Sequence, residues 1–238
     1  MSAEREVEVW PDEAFGPAVA SEILLDTRRI LDFEGRASWL VSAGRDGEKV
    51  ARAIASSPLL PGLPLQNLHV FFADERLSQD PSLLNFVQLS PFFSVLEGWG
   101  MPKTNVHPFL QLSSSKESAL AYEKEIIDSG FENGCSVAWL SCGPDGHVAS
   151  IFPGKERQGN LTIWEDQSPK PPKSRMSVSL EFIRRSREVF VVAAQKEKGE
   201  IVQKAIRTFD DPLIPATFCQ GREKSAWRFS SLTLAQTF

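Results

Sequence analysis

The chain has 238 residues, 42% of them apolar and 24% charged, and its 26 basic and 31 acidic residues give a net charge of −5. That length suffices for one large α/β domain or two small ones. The acidic balance offers no general attraction to nucleic acid or to an anionic membrane, so an anionic substrate has to be held by local basic residues.

Cys135, Cys142 and Cys219 are too few and too scattered for a disulfide framework or a zinc site. The opening MSAEREVEVWPDEAF lacks the apolar stretch of a signal or transit peptide, and no apolar run approaches the roughly 18 residues of a membrane helix. These features predict a soluble cytoplasmic protein with reduced thiols.

In chain order, Phe15, Val19, Ile23, Ile30 and Leu31 recur at near-helical spacing and predict a helix over 13–33. Ala37–Val41 reads as a buried strand ending at Ser42-Ala43-Gly44. Residues 47–57 read as a helix, and Leu68–Ala73 as a second strand running into Asp74-Glu75-Arg76. A helix over 115–128 precedes a third strand, Ser136–Leu140, which leads to Cys142–His147. Met176–Leu180 and Val189–Ala194 read as further strands, with a last helix over 196–208. Strands separated by helices predict an α/β fold with a mostly parallel, Rossmann-like sheet flanked by helices and right-handed crossovers. SPKPPKS at 168–174 reads as an ordered loop. In such sheets the ligand lies beyond the carboxyl ends of the strands. Three polar clusters fall there: Ser42–Arg45, Asp74–Arg76 and Gly143–His147.

Gly143-Pro144-Asp145-Gly146-His147 is the strongest local feature. Its glycines allow a tight turn and Pro144 stiffens it. His147 is placed to act as a general base with Asp145 orienting the ring, and to start a segment that could be helical. A histidine merely packed on the surface is the plainer alternative, and the Gly-rich turn after a strand favours the catalytic one. His69 and His107 lack such a setting and read as structural. Asp74 and Arg76 read as a hydroxyl-binding carboxylate and an anion-binding guanidinium, against a solvated charged loop. Lys198, at a helix start, and Arg175, before a strand, are candidates for a phosphate, though either type is common on a surface. Cys142 reads as a small packing residue.

Four blocks in order resemble the family of 6-phosphogluconolactonases, within the superfamily that also holds glucosamine-6-phosphate isomerase/deaminase. They are LHVFFADERLSQDPSLLNF (68–86), WLSCGPDGHVASIFPG (139–154), SPKPPKSRMSVSL (168–180) and VFVVAAQKEKGEIVQKAI (189–206). The resemblance spans nearly the whole length and implies a single lactonase-like domain over 1–238 with the sugar-phosphate isomerase/CoA-transferase-like fold. It implies hydrolysis of 6-phospho-D-glucono-1,5-lactone to 6-phosphogluconate in the pentose phosphate pathway, without metal or organic cofactor. The partner it implies is the phosphorylated sugar lactone, with no nucleic acid or membrane; the oligomeric state stays open.

By position, the resemblance makes His147 the base that deprotonates water, with Asp145 beside it. Arg76, Arg175 and Lys198 would hold phosphate or balance developing charge, and Asp74 would contact hydroxyls. Ser42 and Gly44 would line the phosphate loop, with Arg45, Asn85 and Gly143 alongside. Deaminases resemble one another in a glutamate five residues after the histidine. That position is Phe152 here, which favours the lactonase.

The first loop departs from the family's Ser-Gly-Gly-Ser-Thr-Pro: it reads Ser42-Ala43-Gly44-Arg45-Asp46-Gly47, with Leu84 and Ser141 as smaller departures. Either Arg45 replaces lost phosphate contacts or phosphate binding is weaker. The alternative function is therefore a catalytically weakened sugar-phosphate-binding protein of the same fold.

Overall fold

A computed structural model describes residues 4–155 and 160–234. The chain opens with β1 (Arg5–Trp10), α1 (Asp12–Glu34), β2 (Ala37–Val41) and α2 (Gly44–Ala55), then β3 (Leu68–Phe72), β4 (Asp74–Arg76) and α3 (Asn85–Gly98). Next come β5 (Val106–His107), α4 (Ser115–Asp128), β6 (Val137–Ser141), β7 (Thr162–Glu165) and β8 (Arg175–Val178). It closes with α5 (Leu180–Arg185), β9 (Glu188–Ala193), α6 (Gly199–Ile206), β10 (Lys224–Ser230) and α7 (Ser231–Leu234).

Seven strands form one parallel sheet in the order β1-β10-β9-β6-β2-β3-β5. Its central strands are buried along their whole length: ASWLV in β2 and EVFVVA in β9 have no exposed residue. A parallel sheet covered by helices on both faces selects such continuous apolar runs. Helix α1 packs Phe15, Val19, Ile23 and Ile30 inward and stops where Gly35 turns left-handed, its N–H capping Leu31 O. Ser114 and Ser179 cap α4 and α5 through Glu117 N and Phe182 N.

From β2 the chain moves outward through β3 to β5, then returns to β6 on the other side of β2. The pair β2/β6 is therefore the topological switch point, where crossovers leave in opposite directions and open a crevice. A second, antiparallel sheet of three strands, β4-β8-β7, grows from the end of β3. The strand expected at Met176–Leu180 belongs to this small sheet and runs Arg175–Val178. Its neighbours are antiparallel because β4 continues β3 past Ala73, whose carbonyl accepts from Val178 N at 2.8 Å.

The segment after His147 is not helical. It folds back through bridges of Val148 with Cys142 and with Ile151, and Ala149 takes a φ of 50° where a helix would need a negative one.

Candidate active site

The carboxyl ends of β9, β6, β2 and β3, four adjacent strands, converge on a cleft of about 310 Å³. Two turns at the switch point are shaped by glycines without room for a side chain. A Cβ on Gly47 would lie 1.8 Å from Ser42 O, and one on Gly143 would lie 2.0 Å from the His147 ring. The first lets α2 start directly under the end of β2; the second lets the imidazole lie against its own turn.

His147 Nδ1 is hydrogen-bonded to Asp145 Oδ1. Burial pushes the Asp145 carboxyl up, but the hydrogen bond from His147 and the charges of His147 and Lys170 outweigh it and hold the carboxyl well below the usual carboxylate range. An ionised Asp145 accepts only, so Nδ1 carries the proton and Nε2 is the nitrogen left for the cleft. Lys170 reaches the same pair, with Nζ 3.4 Å from Asp145 Oδ1 and 3.3 Å from His147 Nδ1. The other side of the ring meets Phe152, centroid to centroid at 5.0 Å.

The opposite wall is cationic. Arg76 stands opposite Arg175 across β4 and β8. Arg175 donates to Pro172 O at 3.2 Å and Pro171 O at 2.9 Å, lies 4.0 Å from Asp74 Oδ2, and so braces the loop that carries Lys170. Arg76 donates to Leu83 O at 2.5 Å, while its Nε is buried without a partner.

Asp74 accepts from Ser150 Oγ at 2.7 Å and Asn85 Nδ2 at 3.1 Å. Glu75 turns away from the cleft and accepts from the N–H groups of Arg76, Asn85 and Phe86, clamping the start of α3 to β4. Burial raises the Glu75 carboxyl in spite of those bonds. Ser42 and Asn85 line the cleft, and their Oγ and Oδ1 are buried and unpartnered. Buried polar atoms without partners are costly, and an orphaned acceptor, hydroxyl and guanidinium N–H in one cleft fit a polyhydroxylated anion.

Of the residues singled out in the sequence, Ser42, Gly44, Arg45, Asp74, Arg76, Asn85, Gly143, His147, Arg175 and Lys198 all line this cleft, and Asp145 stands behind His147. Arg45 is largely taken by an ion pair with Glu197. Lys198 sits at the position just before α6 but does not present a free ammonium: it binds Asp46 Oδ2 at 2.5 Å and Ser141 Oγ at 2.9 Å. Lys170, Asp46 and Ser150 escaped the sequence reading. Lys170 lies in the Pro-rich loop, Asp46 in the first loop that departs from the family pattern, and Ser150 meets Asp74 across 76 residues, so none carries a local signal.

Cys142 is fully buried, and burial pushes its thiol up to about 12, so it is inert packing. His69 and His107 lie away from the cleft, bonded to each other at 3.0 Å, with His107 bonded to Glu125 at 2.6 Å. Among the described residues no group of three or more His, Cys, Asp or Glu is placed to hold a metal ion, and no helix is long and apolar enough to cross a membrane.

The profile of the glucosamine-6-phosphate isomerases/6-phosphogluconolactonase family matches residues 11–227, and the chain belongs to that family. It is 28% identical to a 6-phosphogluconolactonase of Streptomyces coelicolor, over 94% of this chain and 91% of that protein. To a 6-phosphogluconolactonase of Mycobacterium tuberculosis it is 27% identical, over 93% and 94%. The crystal structure of 6-phosphogluconolactonase from Thermotoga maritima superposes with a TM-score of 0.84 at 26% identity, covering 95% of this chain and 100% of that one. A monomeric glucosamine-6-phosphate deaminase, 17% identical with a TM-score of 0.79 over 97% and 99% of the two chains, shares the fold.

Proposed function

We propose that this protein hydrolyses 6-phospho-D-glucono-1,5-lactone to 6-phosphogluconate, the ring-opening step of the pentose phosphate pathway, with the whole chain acting as one catalytic domain. The observation that carries the reading is the His147–Asp145 pair, which takes up Nδ1 and leaves Nε2 available on a ring that lines a cleft shared with Arg76 and Arg175. His147 Nε2 takes a proton from water as the water oxygen adds to the lactone carbonyl. The C1–ring oxygen bond of the tetrahedral adduct then breaks, and Nε2–H returns the proton to the departing oxygen. The step balances with water as the co-reactant.

Ionised Asp145 steadies the imidazolium between the two transfers. Arg76 and Arg175 hold the phosphate or offset the developing oxyanion. Asn85 Oδ1 and Ser42 Oγ meet substrate oxygens, while Asp74 holds Asn85, Ser150 and Arg175 in register. Cys135, Cys142 and Cys219 are buried and form no disulfide among the described residues, which suits the cytoplasm.

The test is the rate of lactone disappearance with and without the protein, read against spontaneous opening. Acceleration that vanishes in His147→Ala supports the reading, and no acceleration by folded protein overturns it. Tight 6-phosphogluconate binding in calorimetry without turnover would instead mark a sugar-phosphate-binding protein. The buried Phe152 against His147 places an aromatic where the family's deaminases carry a carboxylate, so ammonia release from glucosamine 6-phosphate is expected to be absent.

A further inference from the structure

Two consecutive residues at the start of α2 are clasped, with charges reversed, by two consecutive residues before α6. Arg45 pairs with Glu197, and Asp46 pairs with Lys198. The outer pair is exposed; in the inner one Asp46 is 1% and Lys198 7% exposed. The Asp46 carboxylate also accepts from Ala194 N at 3.1 Å and Ser141 Oγ at 3.1 Å, which ties the ends of β6 and β9 to α2. An ammonium has three N–H donors, and Asp46 and Ser141 take two of those on Lys198. Its positive charge is likewise already matched by a buried carboxylate. Arg76, by contrast, has no carboxylate partner among the described residues and keeps a buried, unbonded Nε.

We propose that Asp46 sets the affinity of this cleft for the anionic group of its substrate, a phosphate ester, by occupying Lys198. Lys198 then offers the ligand one directed N–H rather than a free charge, and the grip falls chiefly on Arg76, Arg175 and the Ser42–Arg45 start of α2. Glu197 damps Arg45 in the same sense, more weakly because that pair is exposed to solvent. The consequence is a cleft that binds and releases its phosphorylated ligand at higher concentration than one whose lysine is unpaired. The inference rests on the lactonase reading for the identity of the ester, but not on turnover.

Calorimetry with inorganic phosphate and with 6-phosphogluconate tests it without catalysis. Asp46→Asn removes a negative charge beside the anion, and both ligands are expected to bind about tenfold tighter. A merely structural lesion would loosen binding instead. Glu197→Gln, on the exposed surface, is expected to tighten binding about two- to threefold and remains informative if Asp46→Asn does not fold. Lys198→Met should cost the native protein no more than about threefold but cost the Asp46→Asn background about tenfold or more. Unchanged or weaker binding in Asp46→Asn, or in Glu197→Gln where the first does not fold, overturns the proposal. An equal cost of Lys198→Met in both backgrounds does so too. Phosphate binding that follows the expected order in a protein without lactonase activity would overturn the proposed reaction and leave this inference standing.

Discussion

Arg76 lies directly opposite Arg175 in the antiparallel ladder between β4 and β8, so two guanidinium groups share one wall of the cleft. Like charges facing each other across strands are destabilising, and here burial and the neighbouring Arg76 both lower the Arg175 affinity for its proton. The arrangement makes sense as a seat for an anion. Arg76→Gln is therefore expected to raise the melting temperature of the free protein by about 1–3 °C while lowering kcat/KM about 100-fold. Thermal melts and initial rates on the same sample check both signs. Arg175→Lys keeps the charge but drops the bonds to Pro171 and Pro172, and should cost about 10-fold in kcat as Lys170 loosens.

Gly143→Ala forces a Cβ to within 2.0 Å of the His147 ring. The imidazole has to swing off Asp145, so the lactonase rate should fall about 100-fold or more while the far-ultraviolet circular dichroism spectrum is retained. A variant as active as the native protein would place the base elsewhere.

His147→Ala should lower kcat by about 10³, and Asp145→Asn by less, because the oriented ring survives in part. The ionised Asp145 also contributes stability. Its folded carboxyl is held below its ordinary range, so the contribution is fully present at neutral pH and is lost only as pH falls below that range. The melting temperatures of native protein and Asp145→Asn should thus differ at pH 7 and converge in acid.

Glu188 at the start of β9 behaves in the opposite sense. Burial, with Asp26 adding to it, pushes its carboxyl up to about 8 although Arg29 pairs with one oxygen, and the other oxygen is buried without a partner. A raised carboxyl favours the folded state below the ordinary glutamate value of about 4.5, and that advantage is lost as pH rises through about 8. Glu188→Gln should therefore match the native protein near pH 4 and melt about 5 °C higher at pH 9.

The helices over 12–34 and 115–128 are legible because buried residues recur at helical spacing, and the strands at 37–41 and 68–72 because each is a short, almost continuously buried run. β1 is not: REVEVW is a sheet-edge strand with most side chains in solvent, so burial stamps no pattern on it. Helix α3 hides behind apolar residues on all sides and an internal Pro91. In β10 the fully buried Arg228 broke the apolar run; it is admitted there because Glu22 meets its Nε and Nη2, each at 2.8 Å.

The candidate site divides along the same line. The alternation of strand and helix, the turn that carries His147 and Asp145, and the segments that end at one edge of the sheet are legible from residue order, because each is a property of neighbours in the chain. Which charges are paired is set by contacts between distant segments. Asp46 and Lys198 are 152 residues apart, and Arg76 and Arg175 meet only because β4 pairs with β8. Whether a lysine presents its charge or surrenders it depends on what long-range packing sets beside it, and no local pattern encodes that.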